Sequence, residues 1–189
     1  MATVLDPTIF TTDQMLDLPA DGMERWLIDG ELREKSMTVR NRFHSRLMTT
    51  VSFFLETWNR GQRSPRGEVV SGEAGFRLSR NPDTTVGADV AYASPELASQ
   101  VFEGTTIFEG PPLLAVEILS PNDTHHETQE KIRKYLEAGT KLVWVINPEY
   151  PTVTVYESGK LPVLFNGEQE VCGDPYLPGL RMPVGELLP

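Results

Sequence analysis

Glu117 is the only charged residue in the run Leu113-Leu114-Ala115-Val116-Glu117-Ile118-Leu119, which otherwise reads as a strand buried on both faces of a sheet. Moving an ionised carboxylate out of water costs several kcal/mol even after relaxation. The chain must therefore supply a metal, a cation, strong hydrogen bonds or a raised pKa. Asp89, in Ala88-Asp89-Val90-Ala91-Tyr92, raises the same question, because aspartate is disfavoured in strands. Two acids on neighbouring strands can share one cation. Mg²⁺ suits such a pair, since it takes one or two carboxylates and leaves octahedral positions open to water and substrate phosphate. From spacing alone, two strand acids are more often a capped turn or an ion pair.

The elements that must position these acids follow from pattern. Thr11-Thr12-Asp13-Gln14 caps a short helix that ends between Pro19 and Gly22. Asp29-Gly30 between Trp26-Leu27-Ile28 and Glu31-Leu32-Arg33 predicts a tight hairpin. Phe43, Leu47, Val51, Phe54, Leu55 and Trp58 recur at helical spacing up to Gly61. Short strands are expected over 68–71, 76–78 and 88–93, with Asn81-Pro82-Asp83 as a loop. Thr124-x-x-Glu127 has capping-box form and opens a helix closed by Gly139, and Leu142 to Ile146 is a second wholly apolar strand. Strand, helix and strand in that order imply a parallel crossover. Thr152 to Tyr156 and Leu161 to Phe165 predict a further hairpin, and the proline-rich tail after Asp174 is expected to wrap the surface.

The bulk numbers set limits. A chain of 189 residues with 39% hydrophobic content suits one domain, 1–189, with an N-terminal helix and hairpin to 35, a core over 36–148 and a C-terminal hairpin and tail from 149. One cysteine, Cys172, excludes an internal disulfide and any zinc site built on several thiolates. Met1 to Phe10 has no basic segment leading into an apolar core and no apolar run is of bilayer length, so a soluble, cytoplasmic protein without a membrane partner is expected. The net charge of −10 would repel a polyanion, yet eight bases stand against two acids between Arg33 and Arg66. That asymmetry fits a basic lip beside an acidic centre, or equally an ordinary solvated helix face.

Asp89, then Pro111-Pro112-Leu113-Leu114-Ala115-Val116-Glu117-Ile118-Leu119-Ser120-Pro121, then Lys131 to Tyr135, Gly139 and Val143-Trp144-Val145-Ile146-Asn147-Pro148 together resemble the Uma-type family of putative restriction endonucleases, within the PD-(D/E)XK nuclease superfamily. The likeness runs from the Leu27 to Leu32 hairpin to Leu177-Pro178-Gly179-Leu180. It implies an α/β, restriction-endonuclease-like core, a mixed central sheet flanked by helices, extended by an N-terminal and a C-terminal hairpin. It implies Asp89 and Glu117 as metal-binding acids, with the backbone carbonyl of Ile118 beside them, and Lys131 as the catalytic lysine. The superfamily's lysine normally follows the second acid by two positions, where this chain has Leu119. Lys131, on the boundary of the next helix's buried face, has a stem long enough to reach the strand edge. Tyr135 lies one turn further on the same side.

Four residues are candidates for a supporting role. Glu127 stands four residues before Lys131, although a capping box accounts for it. Glu31 matches a hairpin acid of the family, but Trp26 occupies a place where relatives often carry an acid, and an exposed glutamate fits as well. His44 falls on the inward arc of the long helix, as a core histidine or as part of the site. Tyr135 completes this group. His125 and His126 diverge by about 100° on their helix and are expected to be solvated. Ser120, with no paired base, reads as a turn residue.

These readings predict an Mg²⁺- or Mn²⁺-dependent endonuclease acting on DNA, with Arg40, Arg42 and Arg46 gripping the backbone. The alternative is a nuclease-like domain that binds nucleic acid or a protein partner without cutting. A homodimer is compatible with either.

Overall fold

The computed structural model describes residues 9–36, 41–100, 106–121 and 123–187. Helix α1 (Thr12–Leu16) carries the capping box expected of Thr11 and Gln14. Strands β1 (Met23–Ile28) and β2 (Glu31–Ser36) form the predicted hairpin, with both turn residues at positive φ, Asp29 at 51° and Gly30 at 80°. Helix α2 (Arg42–Arg60) buries His44, Leu47, Val51, Leu55 and Asn59, one per turn along a single stripe.

Strand β3 (Glu68–Ser79) pairs along its length with β4 (Thr84–Ala93). The sequence suggested two short strands, 68–71 and 76–78. One strand spans both, kinked by a register shift between Ser71 and Ala74 where Gly72 and Glu73 take positive φ. A short helix that the pattern did not reveal, α3 (Pro95–Ala98), is capped by Ser94. Then follow β5 (Leu114–Ile118), α4 (His125–Ala138), β6 (Leu142–Asn147), β7 (Thr152–Tyr156) and β8 (Val163–Asn166).

These eight strands make one mixed sheet. Its order is β2-β1-β4-β5-β6-β7-β8, with β3 on β4, and β5 and β6 are parallel, as the crossover through α4 requires. Thr85 pairs with Arg77 of β3 and with Leu27 of β1, while Val90 pairs with Ser71 of β3 and with Val116 of β5. Since β3 takes one edge of β4 throughout, β1 and β5 share the other edge end to end. The sheet forks between them, at Val86 to Asp89.

The tail departs from expectation. Strands β9 (Glu170–Cys172) and β10 (Arg181–Pro183) form a small second sheet, and a closing 3₁₀ turn spans Val184–Leu187. Val171, Leu177, Leu180, Met182, Val184 and Leu187 are buried in the core shared with α2 and one face of the main sheet. The prolines that suggested a surface wrap punctuate a segment whose apolar side chains complete that core. Leu180→Ala, at a fully buried position, is accordingly expected to lower stability by about 2–5 kcal/mol. Urea denaturation would measure this, and a loss below ~0.5 kcal/mol would return the tail to the surface. None of the described helices is long and apolar enough to cross a membrane.

Candidate active site

The fork opens into a cavity of ≈ 790 Å³. Trp26 and Ile28 of β1, Gly87 and Asp89 of β4, Glu117 and Ile118 at the end of β5, and Lys131 of α4 all line it. The register Val90↔Val116, Ala91↔Ala115, continued one step, sets Asp89 opposite Glu117. Two cross-strand acids thus face the same side of the sheet, the side covered by α4.

Asp89 is 4% exposed. Its Oδ2 accepts the Ile118 N–H at 2.8 Å, and its Oδ1 lies 3.2 Å from His44 Nε2. Burial pushes the Asp89 carboxyl up. The His44 hydrogen bond and the nearby His44 and Lys131 charges, with the Ile118 N–H, outweigh it and hold Asp89 below the usual carboxylate range. His44 is itself buried one turn into α2, and its Nδ1 has no hydrogen-bond partner among the described residues.

Glu117 is 9% exposed. Its Oε2 receives Lys131 Nζ at 2.7 Å and its Oε1 lies 3.0 Å from the Tyr135 hydroxyl. Burial drives its pKa up to about 8, with the charges of Asp89 and Glu73 adding to the rise and Lys131 opposing it. Lys131 shows the converse. Burial lowers its pKa, but the Glu117, Glu73 and Asp89 charges override that and raise it above the ordinary lysine value. Burial, together with the Glu117 charge, raises Tyr135 as well. Lys131 and Tyr135 point the same way because they are one turn apart on α4.

The remaining candidates either have other partners or stand outside the cavity. Glu127 lines the mouth of the cavity, but its Oε2 is spent on the Thr124 hydroxyl at 2.7 Å and the Thr124 N–H at 3.2 Å, a completed capping box. Glu31 is exposed at the hairpin, outside the cavity, and its carboxylate meets Arg33 at 3.1 Å. Ser120 donates its backbone N–H to Asp123 in a turn, and His125 and His126 are exposed. Arg40 falls outside the described residues. Arg42 and Arg46 are exposed on α2, and Arg42 stacks on the Phe43 ring at 4.7 Å. Much of the basic stretch is locally neutralised: Arg33 by Glu31, Lys35 by Asp123 at 2.8 Å and Arg60 by Glu56. Among its described members, Lys35 is the one that lines the cavity.

Glu73 was not anticipated. It reaches the cavity from the β3 kink. An acid after glycine inside an otherwise strand-forming run, Val69-Val70-Ser71-Gly72-Glu73-Ala74, was the available signal.

A family model described as "Uma2: Putative restriction endonuclease" matches residues 12–185. This chain belongs to the Uma2 family. A crystal structure of a putative nuclease belonging to DUF820 from Anabaena variabilis has the same fold, with a TM-score of 0.78 and 22% identity over 93% of this chain and 95% of that one. No curated protein matches. The resemblance read from the order of motifs thus holds, and the matched region carries the mixed sheet, its flanking helices and the whole cavity wall described above.

The donor chemistry can be tested against a divalent ion. Among the described residues no group of three or more His, Cys, Asp or Glu side chains is placed to hold a metal. Two carboxylates stand opposite one another on β4 and β5, and burial chiefly lifts Glu117, with the negative charges of Asp89 and Glu73 adding to the rise against Lys131. A hard cation offsets that charge, and Mg²⁺ accepts two carboxylates with its other positions left to water and substrate oxygens. The residues present fit such an ion.

Proposed function

We propose that this Uma2 chain is an Mg²⁺- or Mn²⁺-dependent endonuclease that hydrolyses DNA phosphodiester bonds in the cytoplasm. What carries the reading is Glu117: a buried carboxyl opposite Asp89, with Lys131 Nζ at 2.7 Å, at the rim of an open cavity. A structural role alone would be met more cheaply by an apolar residue in this strand.

Asp89 and Glu117 would hold the ion, with the Ile118 carbonyl as a further oxygen donor. When bound, a divalent ion polarises a phosphate oxygen and acidifies a coordinated water. The chain's own groups do the rest. Ile118 N–H and His44 fix both oxygens of Asp89, so the carboxylate is oriented before any ligand arrives. Lys131, kept charged by its acidic neighbours, stands ready to stabilise negative charge building on the phosphate. Tyr135 holds Glu117 from the helix side. Exposed arginines of α2, Arg42 and Arg46, supply backbone contacts of the kind that weaken with salt.

The direct test is incubation of supercoiled plasmid and of single-stranded DNA with the protein in Mg²⁺, Mn²⁺ or EDTA. Nicking in either metal and none in EDTA is the expected result. DNA binding without cleavage in both metals would replace the hydrolase with a non-cutting nucleic-acid-binding domain.

A further inference from the structure

Trp26 and the two acids line one cavity and face the same side of the sheet. Strand β1 turns Trp26 and Ile28 toward α4, where both join the apolar layer that holds Val86, Ala88 and Tyr135. Leu27 pairs with Thr85, so Trp26 stands level with Val86, about 10 Å along β4 from Asp89. It is half-buried and, of the three tryptophans, it alone lines the cavity. Trp58 donates its indole N–H to the Pro178 carbonyl at 3.0 Å, and Trp144 is fully buried. With Leu16, Ile28 and Ile107, Trp26 gives an apolar lining to a cavity that also holds Asp89, Glu117 and Lys131. An ion, water and a phosphate need none of that apolar surface. A nucleotide matches both halves: an anionic phosphate for the ion and the ammonium, and a flat base for the indole.

Size and enclosure decide which nucleic acid. The cavity holds ≈ 790 Å³, the scale of a small-molecule site and not of a double helix. Asp89 and Glu117 are 4% and 9% exposed, so a phosphate reaches them only when its own strand enters. The hairpin is also joined to α4 and the loop before it at two points, Asp29 to Lys134 at 2.6 Å and Lys35 to Asp123 at 2.8 Å, which holds hairpin and helix together on this side of the cavity. We propose that the substrate is single-stranded DNA, one base of which stacks on Trp26 while an adjoining phosphate meets the acid pair. Trp26 then selects for unpaired bases of any sequence, since every base has a π face. The inference rests on the nuclease reading of the cavity.

Intrinsic fluorescence tests it, because Trp26 is the one indole that a ligand in the cavity can touch. A short oligothymidylate, titrated in Ca²⁺ and in Mn²⁺, is expected to quench the emission. It should bind about tenfold more tightly than the same strand carrying abasic sites, and more tightly than the same sequence as a blunt duplex. Trp26→Leu should lose the quench and bind intact and abasic strands alike, with Trp26→Phe recovering most of the affinity. The abasic comparison uses wild-type protein, so it decides the matter even where Trp26→Leu does not fold. Equal affinity for intact and abasic strands, an unquenched emission in both metals, or a duplex bound as tightly as the single strand would overturn the proposal. Because binding needs no turnover, base-dependent quenching without cleavage removes the nuclease reading alone. Equal cleavage of duplex and single strand with no quench removes only the role of Trp26.

Discussion

Asp89→Asn is expected to reduce Mg²⁺-dependent cleavage roughly a thousandfold while leaving the fold in place. The asparagine carbonyl can still accept the Ile118 N–H that Asp89 Oδ2 accepts at 2.8 Å, so the backbone geometry at the end of β5 survives. What disappears is the negative charge. Thermal melting gives the second readout. In wild-type protein a divalent ion at 100 times its Kd stabilises by about 2.7 kcal/mol, a rise of roughly 5–10 °C for a domain of this size. The variant should show almost none of that rise while melting near the wild-type temperature in EDTA. A variant that keeps either the cleavage or the rise takes Asp89 out of the site.

Glu117→Gln should change how stability depends on pH. The folded pKa of Glu117, about 8, lies above its ordinary value of 4.5 because burial disfavours the anion. A carboxyl shifted upward contributes its full stability below pH 4.5. It loses that contribution progressively as pH climbs to about 8, because the unfolded chain ionises freely across that window and the folded chain does not. At 1.36 kcal/mol per unit, the swing is roughly 3–5 kcal/mol. Lys131, raised above the ordinary lysine value, keeps its charge throughout. Urea titrations in EDTA at half-unit steps should therefore show wild-type stability falling relative to the glutamine variant between pH 4.5 and 8, with the curves parallel outside it. Parallel curves across the whole range would show that Glu117 ionises as it would in water.

Much of this was legible in the chain because the informative residues break local rules. An acid in the apolar run of β5 cannot be explained by strand pairing, and the order of motifs around it fixed the family. Asp29-Gly30 and the Thr124 capping box are set by contacts within four residues, so the hairpin and α4 formed where expected. The failures are non-local. Gly72-Glu73 reads as a strand end because local pattern cannot tell a stop from a kink; pairing with β4 on both sides decides it. With the kink unseen, Glu73 was unseen too. Similarly, Leu177, Leu180 and Met182 have no helical or strand period, since their burial depends on a groove beside α2 that exists only after folding. The pairing of Lys131 with Glu117 required knowing how far α4 sits from β5, which no spacing within the sequence states.

The hairpin meets β4 through the pair Leu27 and Thr85, and ion pairs from Asp29 to Lys134 and from Lys35 to Asp123 tie it to α4 and the loop before it. The partly exposed Lys35–Asp123 pair is worth little by itself. The aperture is therefore framed by two strand ends with separate anchorage. Substitutions in β1 and β2 can resize or recharge the entrance while the strands bearing the acids stay fixed. The entrance and the acid pair thus belong to different parts of the polypeptide.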